Sequence, residues 1–340
     1  MKTKSLNGAT EAYDFDIYSD EHIEDLGKLV ANKAVVLVKQ KLNQKRTWEV
    51  QNSWGEGAQS IVNRAVSLSN MGKHWSSLRL DIFNVSSEIE PEYRDTMNVV
   101  TYQLGKKGRP KGLFANGSLG WHSDQVAVDD GARVIGLVSV EHSENSQTCF
   151  LCTAEAYDKL SQEDKTMVDE LRSVYKWNRV NFTGDLIDEQ KALVRYNQVP
   201  IDGMSCKLQQ ETSAGVKGIH FPGSLFSHFE GMTEYDSLKF KEHLWEQINK
   251  PEYIYEHDWQ DGQVVYMDQN ITLHARPTNI KDGNMRKMWR SVSYMNKLYP
   301  NHGHWDSYTV NGKVMTGAEF ISLVDQQRLQ EYNEGQKIAI

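Results

Sequence analysis

Apolar positions along this chain alternate between two periods. Ser19-Asp20 precedes Ile23, Leu26, Leu29 and Val30, which share one face of a helix that the serine and aspartate can cap. The run Ala34-Val35-Val36-Leu37-Val38 then reads as a buried strand. Residues 44–73, with Trp48 and Trp54, are predicted to be helical in part, and 133–140 form a core strand leading toward Thr148. Helical spacing returns at 161–175 and 233–249, the last stopping before Pro251. Residues 253–259 and 263–267 read as strands flanking Asp261-Gly262, a dipeptide that predicts a hairpin. Short strands with flanking helices predict a mainly β fold, a double-stranded β-helix or jelly roll.

Candidate chemistry concentrates in Leu119-Gly120-Trp121-His122-Ser123-Asp124-Gln125. On an extended strand, residues two apart point the same way, so His122 and Asp124 can grip one ion from one side. A third donor, His274, lies in Met267-Asp268-Gln269-Asn270-Ile271-Thr272-Leu273-His274-Ala275-Arg276 and must arrive from another strand. Two histidines and one carboxylate are the facial set that holds non-heme Fe(II) with positions open. By itself His-x-Asp marks either a metal site or a solvated loop. The tail carries His302-Gly303-His304, which reads as structural or solvent-exposed.

The arginines downstream favour the metal. Met285-Arg286-Lys287-Met288-Trp289-Arg290-Ser291-Val292-Ser293-Tyr294 alternates as a strand with Arg286, Met288, Arg290 and Val292 on one face. Cations on a face shared with Met and Val are expensive to desolvate unless an anion meets them. A 2-oxo dicarboxylate satisfies this, chelating the metal at one end and pairing its far carboxylate with the planar fork of Arg290. A surface strand with paired basic residues is the alternative.

His122-x-Asp124, then Gln147-Thr148-Cys149-Phe150, then His274 followed by Met288-Trp289-Arg290, resembles the iron(II)/2-oxoglutarate-dependent dioxygenases of the TauD/TfdA group, from about residue 112 to 294. The resemblance implies a jelly-roll core and makes His122, Asp124 and His274 the iron ligands. It gives Arg290 the distal carboxylate of 2-oxoglutarate, Arg286 a second position near that co-substrate, and Thr148 a hydrogen bond to a co-substrate carboxylate. The turn before that threonine reads Glu144-Asn145-Ser146-Gln147, without glycine. Fe(II), 2-oxoglutarate and O2 are the implied cofactor and co-substrates. The implied activity is hydroxylation of an unactivated C–H of a small acid or amino-acid-like substrate, with release of succinate and CO2. A non-catalytic 2-oxoglutarate- or metal-binding barrel and a zinc hydrolase are the alternatives. Taurine is disfavoured because Tyr93 stands near the spacing of the family's sulfonate-binding histidine. Trp75, Tyr93 and Tyr102 form either an aromatic cage for a cation or part of the packing.

Bulk properties set outer limits. A 340-residue chain holds one large or two ordinary domains. Convergence of His122 and His274 on one ion favours a single domain over 1–340, with an N-terminal extension to about 100, a core over about 101–298 and a tail from 299. A net charge of −8 argues against a nucleic-acid-binding surface. Three cysteines do not make a secreted disulfide framework. Cys149 and Cys152, three apart on an extended segment, face opposite sides. Early acidic residues and the lack of a long apolar run predict no signal peptide and no membrane span. The expectation is a soluble cytoplasmic protein, a possible homo-oligomer, whose partner is a small-molecule substrate. Residues 105–120, rich in glycine and basic side chains, are predicted to be a loop at the lip of the site.

Overall fold

The computed structural model describes residues 1–57, 88–93, 96–101, 103, 118–124, 133–176, 204–223, 225–277, 285–302, 308–316, 319, 322, 323 and 326. In chain order the strands are β1 (Lys2–Leu6), β2 (Ala9–Tyr13), β3 (Val35–Val38), β4 (Met97–Thr101), β5 (Leu119–His122), β6 (Arg133–Glu141), β7 (Gln147–Cys152), β8 (Arg172–Tyr175), β9 (Met204–Lys207), β10 (Gln209–Glu211), β11 (Lys217–Ile219), β12 (Phe226–Phe229), β13 (Ile254–Asp258), β14 (Val264–Asp268), β15 (Thr272–Arg276), β16 (Lys287–Tyr294), β17 (Tyr308–Val310) and β18 (Lys313–Met315). A seven-stranded sheet, β1-β2-β3-β14-β6-β16-β4, faces a four-stranded sheet, β13-β7-β15-β5. A five-stranded sheet, β12-β8-β9-β17-β18, and the β10-β11 pair complete the described strands.

Side-chain alternation explains why the large sheet's central strands read as continuous apolar runs. Val35, Leu37, Ile135, Leu137, Val265, Met267, Met288 and Val292 pack inward with Phe150 and Trp259. Their neighbours Val36, Val38, Val134, Val138, Val264 and Tyr266 pack outward under the helices Asp20–Lys33 and Gln44–Trp54. A strand covered on both faces has no polar side to show. The small sheet's outer face, through Leu151 and Leu273, meets the helices Ala154–Asp158 and Glu234–Ile248. Among the described residues, no helix is long and apolar enough to cross a membrane.

Two expectations change. Asp261-Gly262 does not close a hairpin: Gly262 takes φ +80 as the dipeptide predicts, but β13 pairs with β7 and β14 with β3 and β6. The turn therefore carries the chain between the two sheets. The predicted helix 161–175 stops at Glu170, and Arg172–Tyr175 pairs with β9 and β12. Among the described residues before the barrel core, β1 to β4 belong to the large sheet. Of the tail, β17 and β18 join the five-stranded sheet.

Asp268 closes β14 in full burial, with Oδ1 accepting the Asn270 N–H at 2.9 Å. Burial, opposed by that amide and by Arg133, raises its carboxyl to about 7. A folded value above the unfolded one, near 3.9, means this group's contribution is complete below about pH 4. It is lost as the pH climbs to about 7, by up to about 4 kcal/mol. Asp268→Asn is expected to flatten that descent. Thermal melts of both proteins at several pH values between 4 and 8 check this, and parallel curves would show that the buried carboxyl is not neutral.

Candidate metal centre

Two paired strands and one bend bring the predicted ligands together. β5 and β15 run antiparallel with His274 opposite His122, so both imidazoles leave the sheet on one face. Their ring centroids are 4.2 Å apart, inclined by 46°. β5 ends at His122, and Asp124 arrives through a bend rather than as the next inward residue of a strand. Two hydrogen bonds shape that bend. Ser123 Oγ donates to the Thr272 carbonyl and the Asp124 N–H donates to Gln269 Oε1, both at 2.8 Å.

One donor atom from each of His122, Asp124 and His274 lies within 4.8 Å of the other two. Bonds of roughly 2.0–2.2 Å to a single divalent cation fit that spacing after small side-chain adjustment. His122 Nδ1 sits 2.7 Å from the Gly120 carbonyl. A carbonyl only accepts, so Nδ1 carries the proton and Nε2 is left as the ligand atom. Burial first, then the neighbouring His122, lowers His274 to about 3 against the pull of Asp124. Burial acts to raise Asp124, but Arg290, His274 and His122 outweigh it and hold the carboxyl well below the usual range. Near neutrality both groups are already in their metal-binding forms, one neutral and one anionic.

Arg290 occupies the metal end of the site. Its Nε and Nη2 both meet Asp124 Oδ2, at 2.8 and 2.7 Å. Oδ1, 3.6 Å from His122 Nε2, is the oxygen that remains for a cation. The sequence reading gave this arginine the far carboxylate of a co-substrate, whereas the fork is already committed to a ligand of the metal.

Thr148 lies deeper along the same interior face. β7 places Phe150 opposite His274, and Thr148 follows two residues away on that face, accepting a hydrogen bond from Trp259 Nε1 at 2.9 Å. The glycine-free turn before it is accommodated by Asn145, which takes φ 64. Arg286 is 3% exposed and immediately precedes β16, the strand whose Met288 and Val292 pack into the interior.

Other candidates separate from the site. Tyr93 is buried beside Trp48, with ring centroids 5.7 Å apart, and so belongs to the core rather than to a cage. Trp75, Tyr102, Gln125, His304 and most of the 105–120 loop fall outside the described residues. Cys149 and Cys152 are free thiols, each raised to about 11 by burial. A cavity of about 390 Å³ lies against β13, lined by Glu11, Leu37, Lys39, Tyr255, His257 and Gln263 among others, and contains none of the predicted site residues. The sequence reading missed Gln269, the Gly120 carbonyl and Trp259. Nothing local marks Gln269, whose partner is 145 residues distant.

Two facing sheets with two histidines and one carboxylate on an interior face define a jelly-roll protein whose clustered side chains have the composition of a facial metal-ligand set. The chain belongs to the TauD/TfdA family: a family model described as "Taurine catabolism dioxygenase TauD, TfdA family" matches residues 3–292. It is 24% identical over 202 residues to pentalenolactone F synthase of Streptomyces arenae, covering 56% of this chain and 67% of that protein. It is 28% identical over 197 residues to the alpha-ketoglutarate-dependent 2,4-dichlorophenoxyacetate dioxygenase of Cupriavidus pinatubonensis, covering 57% and 62%. The match therefore spans only about two thirds of these relatives. In fold the chain is similar to AAD-2 in complex with Mn(II) and N-oxalylglycine, with TM-score 0.64 and 17% identity over 86% of this chain and 96% of that one. It is also similar to a taurine dioxygenase from Burkholderia xenovorans, with TM-score 0.59 and 17% identity over 92% of each chain.

Proposed function

We propose that the protein is an Fe(II)- and 2-oxoglutarate-dependent dioxygenase that hydroxylates an unactivated C–H of a small acid or amino-acid-like substrate. The His122, Asp124 and His274 cluster carries this reading, and family membership with named 2-oxoglutarate-dependent relatives supports it. Bound iron would supply the redox chemistry that couples O2 and 2-oxoglutarate to substrate oxidation, releasing succinate and CO2. The chain's own residues supply position and charge. His122 Nε2, Asp124 Oδ1 and His274 would hold the ion on one side, leaving the opposite side for ligands. Arg290 would fix Asp124 and face the chelating end of 2-oxoglutarate. Arg286, four residues before Arg290 and just ahead of β16, and Thr148 would take its far carboxylate. Phe150, Met288 and Trp259 surround that path with apolar surface, where a charge pair is strengthened by the exclusion of water.

Oxygen-dependent formation of succinate from 2-oxoglutarate by the Fe(II)-loaded protein tests the proposal. A zinc hydrolase or a binding barrel would form none. Thr148→Val keeps the shape and loses the hydroxyl, and is expected to weaken 2-oxoglutarate by about 1–3 kcal/mol. An unchanged Michaelis constant for 2-oxoglutarate would leave Thr148 as no more than the acceptor for Trp259.

A further inference from the structure

Asp124 is held at two points that do different things. Arg290 grips the carboxylate, but its Nε and Nη2 converge on the single oxygen Oδ2, at 2.8 and 2.7 Å. Two bonds to one oxygen make a pivot. A fork spread over both oxygens would fix the carboxylate plane, whereas this one leaves the direction of Oδ1 open. The aim of Oδ1 therefore depends on the main chain. Asp124 lies in a bend beyond the end of β5, outside the ladder with β15, and its N–H donates to Gln269 Oε1 at 2.8 Å.

Gln269 is itself fixed. It is 1% exposed, and its own N–H donates to the Arg133 carbonyl at 2.8 Å. Next to it, the Asn270 N–H meets Asp268 Oδ1 at 2.9 Å and Asn270 Nδ2 meets the Glu211 carbonyl at 3.0 Å, which pins the turn from β14 to β15. The side-chain amide has one way to lie, because flipping it would set its NH2 group against the Asp124 N–H. In that orientation Nε2 is buried with no hydrogen-bond partner among the described residues. An orphaned buried donor is destabilising. An apolar side chain of equal length would fill the position without that cost, and would lack only the acceptor for Asp124. We propose that Gln269 is a positioning residue, which aims Oδ1 of Asp124 at the cation through the Asp124 main chain. This rests on the metal site of the dioxygenase reading above and adds to it a residue 145 positions away in the chain.

The test strips the full chain of metal and titrates it with Mn(II), whose free paramagnetic resonance signal falls on binding. Thermal melts are recorded with and without the metal. Gln269→Met keeps the length and is expected to weaken Mn(II) by at least tenfold, the scale of groups that orient metal ligands. Its metal-free form should melt no earlier than the wild type, because the orphaned donor is gone. Gln269→Asn keeps the amide but falls short of Asp124, and should lose a similar factor. Gln269→Glu presents an oxygen acceptor at the original reach and should restore most of the affinity. Wild-type affinity in both Gln269→Met and Gln269→Asn would overturn the assignment. So would a loss that follows an earlier melt of the metal-free variants and that Gln269→Glu does not repair, since that pattern belongs to damaged packing. A wild type that binds no Mn(II) would refute the metal site and this assignment together. The expected ranking of variants with Mn(II), alongside a wild type that forms no succinate with Fe(II), would support the assignment and refute only the reaction.

Discussion

Alanine at His122, Asp124 or His274 is expected to lower Fe(II) affinity by more than 100-fold and to abolish succinate formation in each case. The estimate starts from groups that only orient metal ligands, whose loss already costs about 10- to 100-fold. Removing one donor of three should exceed that. Asp124→Ala carries an added penalty, because Arg290, with a side chain 14% exposed, loses the carboxylate that both its nitrogens meet. Orphaning one partner of a buried ion pair costs about 3–5 kcal/mol, so this variant should also melt earliest of the three. Asp124→Asn keeps the volume and separates lost ligation from lost packing. Iron content, circular dichroism and succinate release should be measured on the same preparations. Near-normal turnover by any folded variant would remove that residue from the site.

Arg286→Ala is expected to weaken 2-oxoglutarate more than Arg290→Ala does, by about 3–5 kcal/mol where the far carboxylate is left unpaired. Arg286→Lys should recover only part of this, since an ammonium cannot reproduce the planar fork. Arg290→Ala should act mainly on the metal. It frees Asp124 Oδ2, removes the strongest attraction that holds the carboxyl ionised against burial, and should raise the Fe(II) concentration needed for half-saturation. Two anaerobic titrations divide the roles: Fe(II) into the metal-free variants, and 2-oxoglutarate into the iron-loaded ones. The opposite ranking in the second titration would return the far carboxylate to Arg290.

Most elements were legible because their signals are local. The faces of the Asp20–Lys33 and Glu234–Ile248 helices, the doubly buried strand β6 and the His-x-Asp motif are all set by neighbours within a few residues. Burial periodicity and capping act over that same range. The Asp261-Gly262 turn shows the limit. Its backbone conformation was set locally, but the partners of β13 and β14 were chosen by burial against opposite sheets. Arg172–Tyr175 failed similarly: four residues after a helix carry too little pattern to oppose its continuation, and only pairing with β9 and β12 makes them a strand.

The sequence by itself determined the ligand types, the interior arginines and the alternation that turns them inward, because charge, donor chemistry and strand period are properties of the chain. Tertiary structure alone decided which of these meet. It set His274 opposite His122, bent Asp124 onto Gln269, and gave Arg290 to Asp124 across 166 residues. Such pairings depend on sheet register and on which desolvated charge finds its counter-charge first. Neither quantity is written in any local stretch of sequence.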